Sequence, residues 1–111
     1  MSVTPLEAAV LDKLLGHAGE PYDAIRQQLS HASVASREFS GAGFFTHFSL
    51  PQDAPVRRDL GDRELGPIGA DITGLKDGAG FLLFIRDGIV SWLEGYCYDE
   101  PWPTTITDFR V

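Results

Sequence analysis

The segment FLLFIRDGIVSWLEGYCY at residues 81–98 constrains the fold of this chain more than any other. Strand-forming residues fill both halves. Asp87-Gly88 between them is a two-residue turn whose positive φ angles match the twist of paired strands. The segment therefore predicts a β-hairpin, and a regular antiparallel register from this turn places Leu83 opposite Trp92.

Both predicted faces of this hairpin are apolar, whereas a sheet with one solvated face alternates apolar and polar residues. One face would carry Phe81, Leu83, Ile85, Val90, Trp92 and Tyr96, and the other Leu82, Phe84, Ile89, Leu93 and Cys97. The face away from any helix needs a cover, because large exposed apolar patches mark interaction sites. Three alternatives could cover this face: residues 51–67 together with the C-terminal segment of the same chain, a second subunit, or a ligand or protein partner.

Two helices are predicted before the strands. The run TPLE indicates a helix start, with Thr4 as the cap and Glu7 returning the capping hydrogen bond. Apolar residues then recur at helical spacing until Gly16, which ends the helix. A second amphipathic helix is expected to begin near Pro21.

After the second predicted helix, the spacing of apolar residues changes from three or four positions to every second position. Strands are expected on both sides of Gly41-Ala42-Gly43, at residues 68–75 and in the two halves of the hairpin, and TTITDFRV at the end can add an edge strand. Residues 51–67 carry three prolines and seven charges, which predicts an exposed loop. The predicted fold is α+β: two N-terminal helices packed on an antiparallel sheet of about five strands arranged as a meander, in a single domain spanning residues 1–111.

The tetrapeptide GAGF occurs twice, at residues 41–44 and 78–81. A phosphate-binding loop places its glycines between a strand and a helix. Strand-period residues follow both copies, and neither is followed by the Lys-Ser or Lys-Thr pair of such loops. The glycines are therefore expected to form turns or bulges that begin strands.

The charge and composition of the chain limit the kinds of molecule that it is expected to bind and the compartment in which it is expected to occur. The net charge of −7 disfavours nucleic acid and an anionic membrane, and permits a basic protein. The N-terminus does not resemble a signal peptide and the single cysteine does not suggest a secreted disulfide scaffold, so the protein is expected to be soluble and cytoplasmic. Seven arginines to two lysines, with no asparagine, indicate a GC-rich bacterial genome.

Candidate site residues lie in the predicted sheet. His47 would form a pair with Glu94 or Asp71 if either lies across the sheet. Such a pair can serve acid–base chemistry or simply satisfy a polar group. Glu94 lies between Trp92 and other aromatic residues, where burial would raise its pKa; a position at an exposed strand end is the alternative.

The run YDEPWP places two aromatic residues around two carboxylates: Tyr98, Asp99, Glu100 and Trp102. As an exposed acidic loop it would suit a basic protein partner. Alternatively, Trp102 fills the open end of the sheet.

The remaining titratable residues suggest no catalytic or metal centre. Cys97 is expected to be a small core residue, since the adjacent carboxylates oppose a reactive thiolate. His17 and His31 are placed to satisfy the carbonyls at helix ends. The spacing of the histidines does not match a zinc site. No catalytic residue, metal or cofactor is therefore predicted.

The runs SREFSGAGFFTHF and GAGFLLFIRDGIVSWLEGYCYDEPWP resemble those of a small bacterial protein family of unknown function, over roughly residues 25–103. In size, acidity and layout the chain is also similar to immunity proteins that neutralise toxins. The acidic surface, the two apolar faces of the hairpin and the missing catalytic motif favour a non-enzymatic protein that acts by contact with a protein partner, in an immunity or accessory role. A purely structural homodimer is another class that stays open. The alternative is a small-ligand binder or minor enzyme with a pocket between helices and sheet near His47, Trp92 and Glu94.

Overall fold

The computed structural model describes residues 2–111 and has two α-helices, α1 (Pro5–Leu14) and α2 (Tyr22–Leu29). The predicted capping box begins α1: Thr4 Oγ1 accepts from the Glu7 N–H at 3.2 Å, and Glu7 Oε1 accepts from the Thr4 N–H at 2.8 Å. Within residues 2–111, neither helix has the length and apolarity needed to cross a membrane.

The remaining elements form a six-stranded antiparallel sheet in the order β1-β2-β5-β4-β3-β6. The strands are β1 (Ser33–Phe39), β2 (Gly43–Ser49), β3 (Arg63–Ile72), β4 (Ala79–Arg86), β5 (Ile89–Cys97) and β6 (Phe109–Arg110). The predicted α+β class is confirmed, but the sheet has one strand more than expected and is not a simple meander. The apolar strands β4 and β5 take the centre, because central strands are the most completely buried, and β5 returns to pair with β2.

The segment predicted as a loop at residues 51–67 is partly regular. A short 3₁₀ helix spans Arg58–Leu60, and β3 already begins at Arg63. The loop is fixed to the turn of the β4–β5 hairpin, because the Gly88 N–H donates to the Gly61 carbonyl at 2.8 Å. A Cβ atom on Gly88 would lie 1.8 Å from the Arg57 carbonyl oxygen, so only glycine fits beneath this loop.

A β-bulge at Ser91 corrects the predicted hairpin register. Ile85 pairs with Val90 as expected, but Phe84, not Leu83, pairs with Trp92, so Ser91 is the extra residue. Every later side chain of β5 therefore points to the opposite face from the one predicted. In the regular register Glu94 would have faced the core; with the bulge it faces outward and Leu93 is buried in its place.

The hydrophobic core lies on the inner face of the sheet, beneath the helices. Its central side chains are fully buried: Val10, Ile25, Phe81, Leu83, Ile85 and Leu93. Gln28 joins α2 to the hairpin, because its amide group donates to the Gly88 carbonyl at 2.7 Å and accepts from the Val90 N–H at 2.8 Å. Both polar ends of this buried side chain are thus satisfied.

The two GAGF copies lie on either side of β5. Gly43 and Gly80 both pair with Tyr96, while Phe44 and Phe81 both pair with Gly95. The glycines leave room for close backbone contact and for the Tyr96 ring, and the two phenylalanine rings pack over Gly95 on the inner face. As predicted, each copy forms a turn at which a strand begins.

Candidate functional site

The face of the sheet opposite the helices, here called the outer face, carries aromatic side chains and carboxylates. Register and burial place on it Glu38, Phe45, His47, Glu64, Leu82, Phe84, Arg86, Trp92, Glu94 and Tyr96. The apolar and aromatic members remain partly exposed. The segments expected to cover this face instead pack on the inner core, through Leu60, Trp102, Ile106 and Phe109.

His47 is paired with a carboxylate, but not with either one predicted. Its Nε2 lies 2.5 Å from Glu38 Oε1 of the neighbouring strand. Glu94 lies on the same face, beyond Trp92, whereas Asp71 is opposite Arg110 near the far edge of the sheet. The Glu38 side chain is 69% exposed, so this is a surface contact of small energetic weight.

The centre of the outer face is a stacked aromatic pair. The rings of Phe84 and Trp92 lie 4.8 Å apart at an interplanar angle of 16°. The Arg86 guanidinium lies 5.2 Å from the Phe84 ring and 5.1 Å from the Trp92 ring. These rings therefore already hold one cation through their π faces.

Next to the outer face, just after the end of β5, Tyr98 and Asp99 form an exposed surface that is here called the acidic corner. Tyr98 packs edge-on against Tyr96 with ring centroids 5.8 Å apart, and it is 47% exposed. Burial, helped by Tyr98 and Glu94, raises the pKa of Tyr96. Asp99 follows, exposed and with a φ of 55°. The neighbouring Glu100 is engaged within the chain, since its carboxylate accepts from the Lys76 N–H at 2.7 Å.

Trp102 does not belong to this corner. Its ring packs edge-on against Phe44 at 5.1 Å and Phe81 at 6.3 Å, on the inner face. Its backbone N–H donates to the Gly41 carbonyl at 2.7 Å. Of the two predicted roles of Trp102, the structure supports filling the end of the sheet.

The buried thiol of Cys97 occupies the core position that was predicted. It donates to the carbonyls of Ala42 and Glu100, each at 3.2 Å. Burial, together with the Glu100 charge, raises the pKa of this thiol, so it stays protonated and unreactive near neutral pH. At the end of α1, Arg26 rather than His17 satisfies the free carbonyls of Leu15 and His17.

A cavity that was not predicted from the sequence lies between the start of α1, the end of β1 and the C-terminal segment. This terminal cavity has a volume of about 370 Å³ and is lined by Glu7, Arg37, Phe39, Phe44, Trp102 and Phe109, among others. The sequence had assigned Glu7 to helix capping alone. Glu7 lies on the apolar side of an amphipathic helix, and a glutamate in such a position indicates a buried ion pair.

Glu7 and Arg37 form a bidentate ion pair at one wall of the terminal cavity. Arg37 Nη2 and Nε donate to the two Glu7 carboxylate oxygens at 2.6 and 3.1 Å, and the Thr46 hydroxyl also donates to Glu7. Burial alone would raise the pKa of Glu7, but the donors from Arg37, Thr46 and Thr4 outweigh it and lower the pKa. The glutamate is thus held as a carboxylate.

Neither a search for metal-binding groups nor comparison with known proteins assigns a function to these sites. Within residues 2–111, the His, Cys, Asp and Glu side chains form no group of three that could hold a metal ion. Comparison of the chain with protein-family models, with curated proteins and with solved structures found no match.

Proposed function

We propose that this chain is a non-enzymatic protein that acts by binding a protein with a basic surface, in an immunity or accessory role. The observation that carries the proposal is the outer face, where aromatic rings and carboxylates remain partly exposed while the rest of the chain packs on the other side. The acidic corner formed by Tyr98 and Asp99 extends the same surface.

The aromatic content of the outer face favours a protein partner. Tryptophan, tyrosine and phenylalanine are enriched at the centres of protein interfaces, where they supply much contact area for little loss of side-chain entropy. Phe84, Trp92 and Tyr96 are held by strand pairing and by ring contacts, so they are already ordered before binding. A partner would therefore meet a preformed surface.

The charges of the outer face favour a cationic partner. Glu38, Glu64 and Glu94 outnumber the single guanidinium of Arg86, and the whole chain has a net charge of −7. A lysine or arginine of the partner can pair with these carboxylates and lie over exposed aromatic rings. A second copy of this chain is less suited, because facing copies would bring like charges together.

The second predicted function, a pocket between helices and sheet near His47 and Glu94, does not agree with the geometry. Both residues, with Trp92, lie on the side of the sheet away from the helices. Any small-molecule site between helix and sheet must use other residues.

The test starts with native mass spectrometry of the protein gently purified from its own host, which reports bound proteins and subunit number together. The dissociation constant of the complex is then measured by titration. Trp92→Ala is expected to weaken binding about thirtyfold, the size of an interface hot spot, and Asp99→Lys by several-fold. The partner is expected to carry a basic surface, and affinity to fall with added salt.

Asp12→Lys on α1 is the matched control, because it reverses an exposed carboxylate on the opposite side of the molecule and should leave the affinity nearly unchanged. A partner that binds Trp92→Ala as tightly as the natural protein would contradict the proposed surface. A homodimer that dissociates on dilution, with no other protein bound, would replace the proposed partner with a second copy.

A further inference from the structure

We propose that the terminal cavity is a binding site for a small uncharged molecule with a planar aromatic ring. This proposal is independent of the proposed function, because the cavity lies on the inner side of the sheet, away from the outer face. Its volume of about 370 Å³ lies within the range of small-molecule sites, which are mostly apolar clefts with a few polar groups.

The walls of the terminal cavity are aromatic rings supplied by separate parts of the chain. The ring centroid of Phe39, at the end of β1, lies 6.4 Å from that of Phe44 in β2. The Phe44 centroid lies 5.1 Å from that of Trp102 in the C-terminal segment. Both contacts have the tilted or edge-on geometry that aromatic pairs prefer. A planar ring entering the cavity would continue this series of ring contacts.

The exposure of Phe39 indicates which way the cavity opens. Its side chain is 70% exposed although it lines an apolar cavity. Apolar surface in contact with water is unfavourable, so a ligand that covers Phe39 gains free energy by removing its ring from water. Phe44 is already buried behind it, so the ring at the mouth is the one that a ligand would cover.

The charges at the cavity wall specify an uncharged ligand. Glu7 and Arg37 neutralise each other, and the Glu7 carboxylate is satisfied by donors from Arg37, Thr46 and Thr4. A charged ligand would lose hydration without gaining an opposite charge, which is costly. Thr104 and Thr107 also line the cavity, and a threonine hydroxyl can form a hydrogen bond with one neutral polar group of a ligand.

The cavity is preformed, because the segment that closes it is fixed by backbone hydrogen bonds. The Trp102 N–H donates to the Gly41 carbonyl at 2.7 Å, and the Thr73 N–H donates to the Asp108 carbonyl at 3.0 Å. Phe109 is also held, since it pairs with Ile72 of β3. A ligand would not have to order the C-terminal segment before it binds.

The test uses three probes that share an indole ring and differ in charge: tryptophol, indole-3-acetate and tryptamine. The readout is the indole N–H signal of Trp102 in two-dimensional NMR of the full chain, assigned with the Trp92→Phe variant. Tryptophol is expected to shift this signal saturably, with a dissociation constant about tenfold lower than that of either charged probe. Phe39→Ala should weaken tryptophol binding roughly fivefold, the size of one aromatic contact.

Tyr98→Ala is the matched control, because it removes another exposed aromatic ring at the acidic corner and should leave tryptophol binding unchanged. Since Phe39 is exposed, Phe39→Ala is expected to stay folded, and its NMR spectrum shows whether it does. The proposal is overturned if tryptophol produces no saturable shift, if a charged probe binds as tightly, or if Tyr98→Ala weakens binding as much as Phe39→Ala.

Discussion

Replacing Glu7 by Gln is expected to lower the free energy of unfolding by about 3 kcal/mol, the cost of breaking a buried ion pair. Glu7 is 1% exposed, and its carboxylate accepts from the Thr4 N–H, from two Arg37 nitrogens and from the Thr46 hydroxyl. Glutamine has nearly the same shape, but its NH₂ group would face donors, and Arg37 would lose its counter-charge. Urea denaturation at pH 7, followed by circular dichroism, measures the change.

Acid should remove the same interaction from the natural protein. Because the folded-state pKa of Glu7 lies below its ordinary value of 4.5, its contribution to stability is complete above that pH and is lost as the pH falls through the lowered pKa. The stability difference between the natural protein and Glu7→Gln should therefore shrink in acid. A difference that is the same at pH 7 and pH 3 would contradict the ion pair. Glu38→Gln, which removes an exposed carboxylate, should change stability by less than about 0.5 kcal/mol.

Replacing Gly43 by Ala is expected to lower the free energy of unfolding by about 3 kcal/mol or more, the upper range for overpacking a core. A Cβ atom there would lie 2.0 Å from the Gly95 carbonyl oxygen and 3.0 Å from the Tyr96 Cα. Both are backbone atoms of the central strand β5, so no side-chain rotation relieves the clash. The midpoint of thermal unfolding should fall by about 12 °C.

Gly41→Ala is the matched control within the same GAGF motif. Gly41 has a φ of 86°, but nothing lies within 4 Å of its Cβ position. Alanine there should cost only about 1 kcal/mol, for the left-handed backbone conformation. Equal and small effects of the two substitutions would show that β2 and β5 do not approach as closely as their register implies.

Only part of the outer face could be named from the sequence, and its arrangement could not. The sequence drew attention to His47, Trp92 and Glu94 because they interrupt or border apolar strands, and all three do lie on one surface. Which carboxylate reaches His47 depends on strand order, and that order put Glu38 beside it. Trp102 follows the same aromatic-acidic pattern as Tyr98, but packing takes it to the inner face instead.

By itself, the sequence determined the features that depend on neighbouring residues. The capping box at Thr4 and the two-residue turn at Asp87-Gly88 act through local hydrogen bonds and backbone angles, so a few letters suffice to predict them.

Only the tertiary structure decided the features that depend on distant segments. The return of β5 to β2, the bulge at Ser91 and the pairing of Glu7 with Arg37 each follow from which arrangement buries apolar side chains and leaves no buried charge unpaired. A one-residue bulge reverses the faces of a strand, so it decided whether Trp92 and Glu94 lie in the core or on the outer face. The free energy of burying apolar side chains and pairing charges depends on the whole core, so it cannot be predicted from a short stretch of sequence.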